Sequence, residues 1–171
     1  MMSTSNRQAL HIALATVSDR HTPTSDATGD WLGDAIVKAG HHMYQRQILA
    51  TDKYLVRAVV SRWIAEPKLS VVLLNGSTGF AEHNAVPEAI APLLDQTIDG
   101  FGELFRQLSW QQIGSSAMQS RAFAGLANNT LVIAIPGSES AAQLAWEQLI
   151  QPQLDSEQGP CNFVGRLIRH R

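Results

Sequence analysis

The sequence has few of the features that mark secreted, membrane-bound or nucleic-acid-binding proteins. Its 171 residues contain one cysteine, Cys161, so an internal disulfide is excluded and a cysteine zinc site has no second thiolate. No apolar run approaches the roughly 20 residues of a membrane-spanning helix, and the first residues lack the apolar core of a signal peptide. The formal net charge of -2 is spread over both signs, so the composition shows no nucleic-acid footprint. These absences predict a cytoplasmic protein that binds neither membranes nor nucleic acid.

Several common catalytic motifs are also missing. No glycine turn is followed by Lys-Ser or Lys-Thr, which excludes a Walker A loop, and no G-x-G-x-x-G dinucleotide fingerprint occurs. The six histidines form neither H-E-x-x-H nor a helical metal pair. A nucleophilic serine in G-x-S-x-G is absent as well. Dinucleotide-dependent oxidation, zinc-dependent hydrolysis and serine-dependent hydrolysis are therefore disfavoured.

The sequence does contain alternating apolar strands and amphipathic helices. Buried strands are predicted at residues 10–17, 71–74 and 131–135, with a more polar edge strand at 43–49. Helices are predicted at residues 28–38, 53–66, 87–94, 102–108 and 139–151. We therefore predict an α/β fold: a single compact domain over residues 1–171, with a mostly parallel sheet and helices on both faces. Residues 1–9 and 166–171 are predicted to be flexible ends.

A glycine-bounded turn, N-G-S-T-G, follows the apolar strand at residues 71–74. Ligands of open α/β sheets bind beyond the carboxyl ends of the strands. Gly76 and Gly79 lack the Cβ atoms that would keep an anion away from the backbone N–H groups. The turn therefore indicates a site for a phosphate or carboxylate, although an ordinary strand-to-helix turn explains the pattern equally well.

Polar loops follow the other strands at the same predicted edge of the sheet. They are Ser18-Asp19-Arg20 after the first strand, Asp52 after the second and Pro136-Gly137-Ser138 after the last. Together with the glycine turn they could hold a nucleotide, with N–H groups on phosphate and carboxylates on Mg²⁺. Simpler roles are open for each acid, since Asp52 suits a helix cap and Glu88 suits the first turn of a helix.

An ordered set of short motifs resembles the MogA/MoaB family of molybdenum-cofactor biosynthesis, and most closely its MoaB branch. The resemblance covers residues 10–165. Its motifs are T-V-S-D-R at residues 16–20, D-x-T-G at 26–29, N-G-S-T-G at 75–79, P-E-A at 87–89, G-F-G-E at 100–103, S-R at 120–121 and I-P-G-S at 135–138. No single motif is specific, but their combined order is.

This resemblance implies a compact α/β fold that assembles as a homotrimer or, for MoaB, a homohexamer. It also implies molybdopterin and ATP as ligands and Mg²⁺ as the metal. Active relatives transfer AMP from ATP to the terminal phosphate of molybdopterin and release pyrophosphate. Other enzymes of molybdenum-cofactor assembly are the implied protein partners.

The resemblance assigns a role to each matching position. The phosphates would lie on the backbone of Gly76, Ser77, Thr78 and Gly79, near Pro136, Gly137 and Ser138. Asp52 would lie near the metal and ATP, with Glu88 in the same pocket. Ser120 and Arg121 would hold the anionic pterin, which suits the fixed charge of arginine.

Two positions depart from the family pattern. Ser77 replaces the second glycine of G-G-T-G, and Asn84 replaces the catalytic aspartate of active relatives. A carboxamide has no charge and one coordinating oxygen, so this change weakens a Mg²⁺ site. Two interpretations follow: a molybdopterin adenylyltransferase, and a non-catalytic paralogue that binds pterin or nucleotide as a carrier or partner in cofactor assembly. A third, an unrelated α/β nucleotide-binding protein, requires the ordered motifs to be coincidental.

Overall fold

The computed structural model describes residues 7–168, which form a six-stranded sheet with helices on both faces. The strands are β1 (His11–Val17), β2 (His42–Leu49), β3 (Val71–Asn75), β4 (Gln96–Thr97), β5 (Phe123–Ala127) and β6 (Thr130–Ile135). The helices are α1 (Ala27–Lys38), α2 (Lys53–Ala65), α3 (Val86–Ile90), α4 (Asp99–Ile113), α5 (Glu139–Ala145), α6 (Gln151–Leu154) and α7 (Val164–Ile168).

The sheet has the order β2-β1-β3-β6-β5-β4. Strands β2, β1, β3 and β6 are parallel, whereas β5 pairs antiparallel with β6 and with the short edge strand β4. The predicted α/β class and mostly parallel sheet are therefore confirmed, and β2 lies at the predicted edge. Strands β4 and β5 are additions that the sequence analysis did not predict.

Alternation along the strands separates two apolar cores. Leu14 and Leu73 face one core, which α1, α4 and α5 cover with Leu32, Phe105 and Ala142. On the opposite face, the neighbouring strand residues pack beneath α2 and α3. All five residues of β3 are buried, because helices cover both faces of this central strand.

Local capping sets the helix boundaries that border the carboxyl edge of the sheet. The side chain of Asp26 accepts from Gly29 N at the start of α1, and that of Asp52 accepts from Leu55 N at the start of α2. Ser138 caps α5 in the same way. Helix α5 continues through a π-helical turn, Trp146–Ile150, into α6, so the three form one continuous helical segment.

The two ends of the chain are only partly described. Residues 1–6 and 169–171 lie outside the described residues, and the predicted flexibility of both ends falls largely on them. Within the described part, Arg7 pairs with Asp155 and Glu157, and the chain runs in α7 up to Ile168. No helix in residues 7–168 is long and apolar enough to span a membrane.

The chain order creates a switch point in the sheet. From β1 the chain passes to β2 on one side, and it then returns to place β3 on the other side of β1. Loops that leave the carboxyl ends of β1 and β3 diverge there, and the gap between them is the usual ligand position in such sheets.

Candidate functional site

Two cavities adjoin the glycine turn at the carboxyl edge of the sheet. The first, of about 440 Å³, lies at the switch point, and we call it the charged lobe. It is lined by Thr16, Val17, Ser18, Asp19, Arg20, His21, Thr51, Asn75, Gly76, Ser77, His83, Asn84 and Gly137. The second, of about 370 Å³, is the hydroxyl lobe. It is lined by Ser77, Thr78, Gly79, Asn84, Phe105, Ser109, Ile113, Ser116, Gln119, Ser120, Pro136, Gly137, Ser138 and Ala141.

The lobes meet at three residues, Ser77, Asn84 and Gly137, which line both cavities. Each volume lies within the usual range of small-molecule sites. The shared wall means that groups bound in the two lobes would approach each other over the glycine turn.

The shape of the turn depends on Gly76. Its φ is +97°, and a Cβ there would lie 2.8 Å from the carbonyl oxygen of Val17. Gly76 N donates to the carbonyl oxygen of Ile135 at 2.9 Å, which ties β3 to β6 at this edge. A Cβ on Gly137 would lie only 3.2 Å from Gly76 Cα. The turns after β3 and β6 therefore pack closely because both positions are glycine.

Ser77 continues the turn with a φ of +56°, which is unusual for a residue with a side chain. Its side chain accepts from Ala85 N at 2.9 Å, and its carbonyl oxygen accepts from Val86 N at 3.2 Å. These bonds close the loop between the turn and α3. The serine that departs from the family pattern thus stabilises this loop.

The backbone N–H groups of Ser77, Thr78 and Gly79 have no hydrogen-bond acceptor among the described residues. They lie in succession after the left-handed conformations of Gly76 and Ser77, where successive N–H groups form anion-binding concavities. Unpaired donors at the junction of two cavities are suited to a phosphate.

Four titratable side chains line the charged lobe: Asp19, Arg20, His21 and His83. Thr51 donates to Asp19 from its hydroxyl group and from its backbone N at 2.8 Å. These hydrogen bonds hold the pKa of the Asp19 carboxyl below its usual range, aided by nearby His83. Asp19 is thus an anion at neutral pH, and the other three titratable side chains of the lobe are basic residues.

A buried ion pair supports the floor of the charged lobe. Thr16 donates to Asp26 at 2.7 Å, and Arg46 donates to the same carboxylate oxygen at 2.9 Å. Gly29 N binds the other oxygen at 3.0 Å. Burial acts to raise the pKa of Asp26, but the hydrogen bonds from Thr16, Arg46 and Gly29 outweigh it and the pKa lies below its usual range. The network joins β1, β2 and α1 beneath the site.

Asn75 also lies on this floor, at the end of β3. It is 1% exposed, and its Oδ1 atom is buried without a hydrogen-bond partner within the described chain. Buried side-chain acceptors of this kind are rare in native structures and call for an explanation. The residue lines the charged lobe, so its carboxamide lies beside the cavity although the oxygen itself is enclosed.

The hydroxyl lobe has a different lining. It carries no titratable side chain from the described residues, and its polar groups are six hydroxyls and two carboxamides. The hydroxyls are those of Ser77, Thr78, Ser109, Ser116, Ser120 and Ser138, and the carboxamides are those of Asn84 and Gln119. Phe105 and Ile113 add apolar surface. Such a wall can hold an uncharged ring that carries several hydrogen-bonding atoms.

The predicted site residues divide into two groups. Gly76, Ser77, Thr78, Gly79, Asn84, Ser120, Pro136, Gly137 and Ser138 line one or both lobes. Asp52, Glu88 and Arg121 line neither. Asp52 accepts from Leu55 N at 2.7 Å as the cap of α2, whereas Glu88 and Arg121 form an ion pair with each other.

Mg²⁺ has little support from side chains here. Within residues 7–168, no group of three or more His, Cys, Asp or Glu residues could hold a metal ion. Asp52 caps a helix, and both oxygens of Asp19 accept from Thr51. Asn84, which lies between the lobes, offers one neutral oxygen. A magnesium ion held mainly by protein carboxylates does not fit these residues.

Sequence reasoning missed several lining residues. His21 and Thr51 follow β1 and β2 closely, so their places after strand ends could have indicated them. Ser109, Ser116 and Gln119 come from α4 and the 3-10 turn after it, Gly114–Gln119. No local motif marks these three, because only the packing of α4 against β5 and α5 brings them to the turn.

A further groove of about 700 Å³ lies away from the turn, between α3, α4 and β5. It is lined mainly by apolar residues, and its charged residues are two acids, Asp99 and Glu103, and two bases, Arg106 and Arg121. Beside it, the end of α4 and the 3-10 turn expose Trp110, Ile113 and Met118 by 62%, 55% and 78%. Trp110 is exposed, whereas Trp31 is half-buried and Trp63 and Trp146 are buried, so an apolar patch around Trp110 is a candidate interface.

The chain is similar in sequence to a known family and to characterised proteins. Residues 3–156 match the family described as "Probable molybdopterin binding domain". The chain is similar to molybdenum cofactor biosynthesis protein B of Escherichia coli K12, with 49% identity over 152 residues that cover 89% of each chain.

Two solved structures share the fold. A crystal structure of molybdenum cofactor biosynthesis protein B is 38% identical, with a TM-score of 0.83 over 86% of this chain and 92% of that one. The tungsten cofactor synthesizing protein MoaB from Pyrococcus furiosus is 28% identical, with a TM-score of 0.73 over 82% of this chain and 89% of that one.

Proposed function

The chain belongs to the molybdopterin-binding domain family of molybdenum-cofactor biosynthesis proteins, alongside molybdenum cofactor biosynthesis protein B, and on this premise we propose that it binds molybdopterin and ATP together at the glycine turn. One observation carries the proposal. Three unpaired backbone N–H groups, at Ser77, Thr78 and Gly79, lie beside the wall shared by two cavities of ligand size. Two phosphorylated molecules, one in each lobe, would bring their phosphates together there.

The linings suggest which ligand each lobe takes. The triphosphate of ATP carries the larger negative charge and suits Arg20, His21 and His83 in the charged lobe. The pterin ring is uncharged and rich in nitrogen and oxygen atoms, and it suits the serines and Gln119 of the hydroxyl lobe.

Adenylyl transfer is the reaction that this arrangement would permit. A phosphate oxygen of molybdopterin attacks the α-phosphorus of ATP, the bond to the β-phosphate oxygen breaks, and pyrophosphate leaves. The protein's contribution to such a reaction is in-line placement and neutralisation of charge. Here the turn N–H groups and the basic lobe supply both, and any Mg²⁺ arrives on the nucleotide phosphates rather than on protein carboxylates.

Asn84 leads us to propose that binding is efficient and transfer is slow. Its side chain lies between the lobes, and within the described chain it forms no hydrogen bond. Removing one well-placed electrostatic group typically lowers a rate on the order of 100-fold. The protein then acts as a carrier or partner in cofactor assembly. The alternative is an adenylyltransferase of full activity, favoured by the same meeting of the lobes.

Pyrophosphate release from ATP in the presence of molybdopterin distinguishes slow transfer from full adenylyltransferase activity. We expect little release by the parent protein and an increase of on the order of 100-fold in Asn84→Asp. Asn129→Asp, in the hairpin at the opposite edge of the sheet, is the matched control and leaves the rate unchanged. High activity in the parent would overturn the slow-transfer proposal, and a parent that binds neither ligand would overturn the site.

We also propose that the chain self-associates as a trimer or as a hexamer of trimers. The exposed apolar residues Trp110, Ile113 and Met118 support this, because obligate oligomers bury such surface and close by symmetry. Light scattering at micromolar concentration tests it. Trp110→Glu should shift the mass toward that of a monomer, and a monomeric parent would contradict the proposal.

A further inference from the structure

The segment at residues 80–85, which we call the lobe loop, carries two lining residues but has little structure of its own. His83 lines the charged lobe and Asn84 lines both lobes. Phe80 is 67% exposed, and residues 81–83 are exposed as well. Three backbone N–H groups close the loop: Asn84 N donates to Ala81 O at 2.8 Å, and those of Ala85 and Val86 donate to Ser77.

Arg121 contacts the chain at both ends of the lobe loop. Its Nε and Nη2 atoms donate to the carbonyl oxygen of Gly79 at 2.9 and 2.6 Å. Its Nη1 atom donates to the carboxylate of Glu88, just beyond the loop in α3. The guanidinium also lies 5.0 Å from the centre of the Phe80 ring. One planar group with several fixed donors thereby sets the distance between the two ends of the loop.

The α3 end of this contact is itself anchored. Arg57, on α2, donates to the carbonyl oxygens of Glu88 and Ala89 at 2.7 and 2.9 Å. The hydrogen bond from Arg121 holds the pKa of Glu88 below its usual range, so the carboxylate stays charged at neutral pH. Arg121 therefore ties the Gly79 end of the loop to an anchored point on α3.

We infer that Arg121 is a positioning residue, which places Asn84 and His83 at the lobes through Gly79 and Glu88 without touching the ligand itself. Arg121 lines the 700 Å³ groove and neither lobe, and its donors are already engaged. This role differs from the direct pterin contact that the family resemblance implies. The consequences for ligand binding rest on the proposed function, whereas the consequences for the loop do not.

Amide hydrogen exchange of the ligand-free protein tests the effect on the loop. Arg121→Gln should speed exchange at Asn84, Ala85 and Val86 by about fivefold or more, since their hydrogen bonds depend on the loop's closed form. Arg121→Lys should recover part of the protection. Arg7→Gln removes an arginine ion pair far from the site and should leave these amides unchanged. Parent-like exchange in Arg121→Gln would overturn the inference.

Titration with ATP and with inorganic pyrophosphate separates positioning from direct contact. If Arg121 acts through Glu88, then Arg121→Gln and Glu88→Gln should each weaken ATP binding by about fivefold, and the double variant should be no weaker than Arg121→Gln alone. A direct contact predicts that Glu88→Gln binds as well as the parent or better, which would overturn the inference. A parent that binds neither probe overturns the proposed function, and hydrogen exchange then still decides the role of Arg121.

Discussion

The two lobes share the glycine turn but differ in how their linings are built. The charged lobe lies at the switch point, and its lining comes from the ends of β1 and β3 and from the loops after β1, β2, β3 and β6. The hydroxyl lobe takes Ser109, Ser116 and Gln119 from α4 and the turn after it, which reach the site only through tertiary packing. The charged lobe therefore has titratable side chains at the usual ligand position of α/β proteins. The hydroxyl lobe has neutral hydrogen-bond donors and acceptors. This contrast suits two ligands of different charge.

The largest effect is expected from a substitution in the glycine turn, which both lobes share. Gly76→Ala forces a side chain into a φ of +97° and places its Cβ 2.8 Å from Val17 O. We expect a loss of about 3 kcal/mol in the free energy of unfolding, measured with urea, and loss of binding in both lobes. Gly100→Ala is the control, because a Cβ there meets nothing within 4 Å and alanine favours the helix. Equal stability of the two variants would contradict the role of the turn.

Blocking one lobe should separate the ligands. Ser116→Trp places a large ring in the hydroxyl lobe, and molybdopterin binding should weaken by about 30-fold while pyrophosphate binding is retained. Ser115→Trp, at the exposed neighbouring position that lines neither lobe, should bind as the parent does. Calorimetric titration measures both. Parallel losses of molybdopterin and pyrophosphate binding would show that the lobes do not act separately.

Reversing a charge tests the other lobe. Arg20→Glu places a second carboxylate beside Asp19, and ATP affinity should fall by about tenfold at low salt, with a smaller loss at high salt. Molybdopterin binding should change less, because the hydroxyl lobe has no titratable lining in the described chain. Arg62→Glu, on the exposed face of α2, controls for net charge. Unchanged ATP affinity would move the triphosphate out of the charged lobe.

The smallest expected effect is a pH dependence that acts through the floor of the charged lobe. Because the pKa of Asp26 is lower in the folded protein than its ordinary value of 3.8, its stabilising contribution is complete above that value and is lost as the pH falls toward the folded pKa. The slope is at most about 1.4 kcal/mol per pH unit. Urea unfolding between pH 5 and pH 3 should show a shallower slope in Asp26→Asn than in the parent. Parallel curves would exclude this linkage.

A second titratable group, His41, lies at the opposite end of β1, away from both lobes. Burial lowers its pKa, which Asp155 opposes and His42 reinforces, and its Nδ1 atom accepts from Leu10 N at 3.2 Å. The sequence analysis found no metal motif among the histidines, and the buried contact with Leu10 gives His41 a structural role. Protonation costs stability as the pH falls below the ordinary value of 6.5. Protonation of His41 should leave the affinity for ATP and molybdopterin unchanged, because this histidine lies away from both lobes.

The parts of the fold that depend on local sequence patterns were predicted correctly. The four parallel strands, the glycine turn and the cap at Asp52 were predicted because apolar periodicity and capping residues act over short distances. Strand β5 was missed because F-A-G-L-A is short and contains glycine. Asn128 and Asn129, with φ of +48° and +60°, form the tight turn that joins it to β6, and this asparagine pair between apolar runs was the available signal.

The site was less predictable than the fold. Asp26 belongs to the D-x-T-G motif, but no local pattern indicates that it is a buried partner of Arg46. It meets Thr16 only because the chain returns to the end of β1. Arg121 was assigned to the pterin from the family resemblance, whereas its donors bind Gly79 and Glu88. No local sequence pattern predicts these contacts, because Gly79 and Glu88 lie 42 and 33 residues before Arg121 in the chain.

The central claim is that two ligands bind at once, with their phosphates over one turn. The most direct measurement is calorimetric titration of molybdopterin into protein saturated with a non-hydrolysable ATP analogue. The account predicts one molybdopterin and one nucleotide bound per chain, with neither displacing the other. Competition between them, with molybdopterin binding only as the nucleotide leaves, would contradict it.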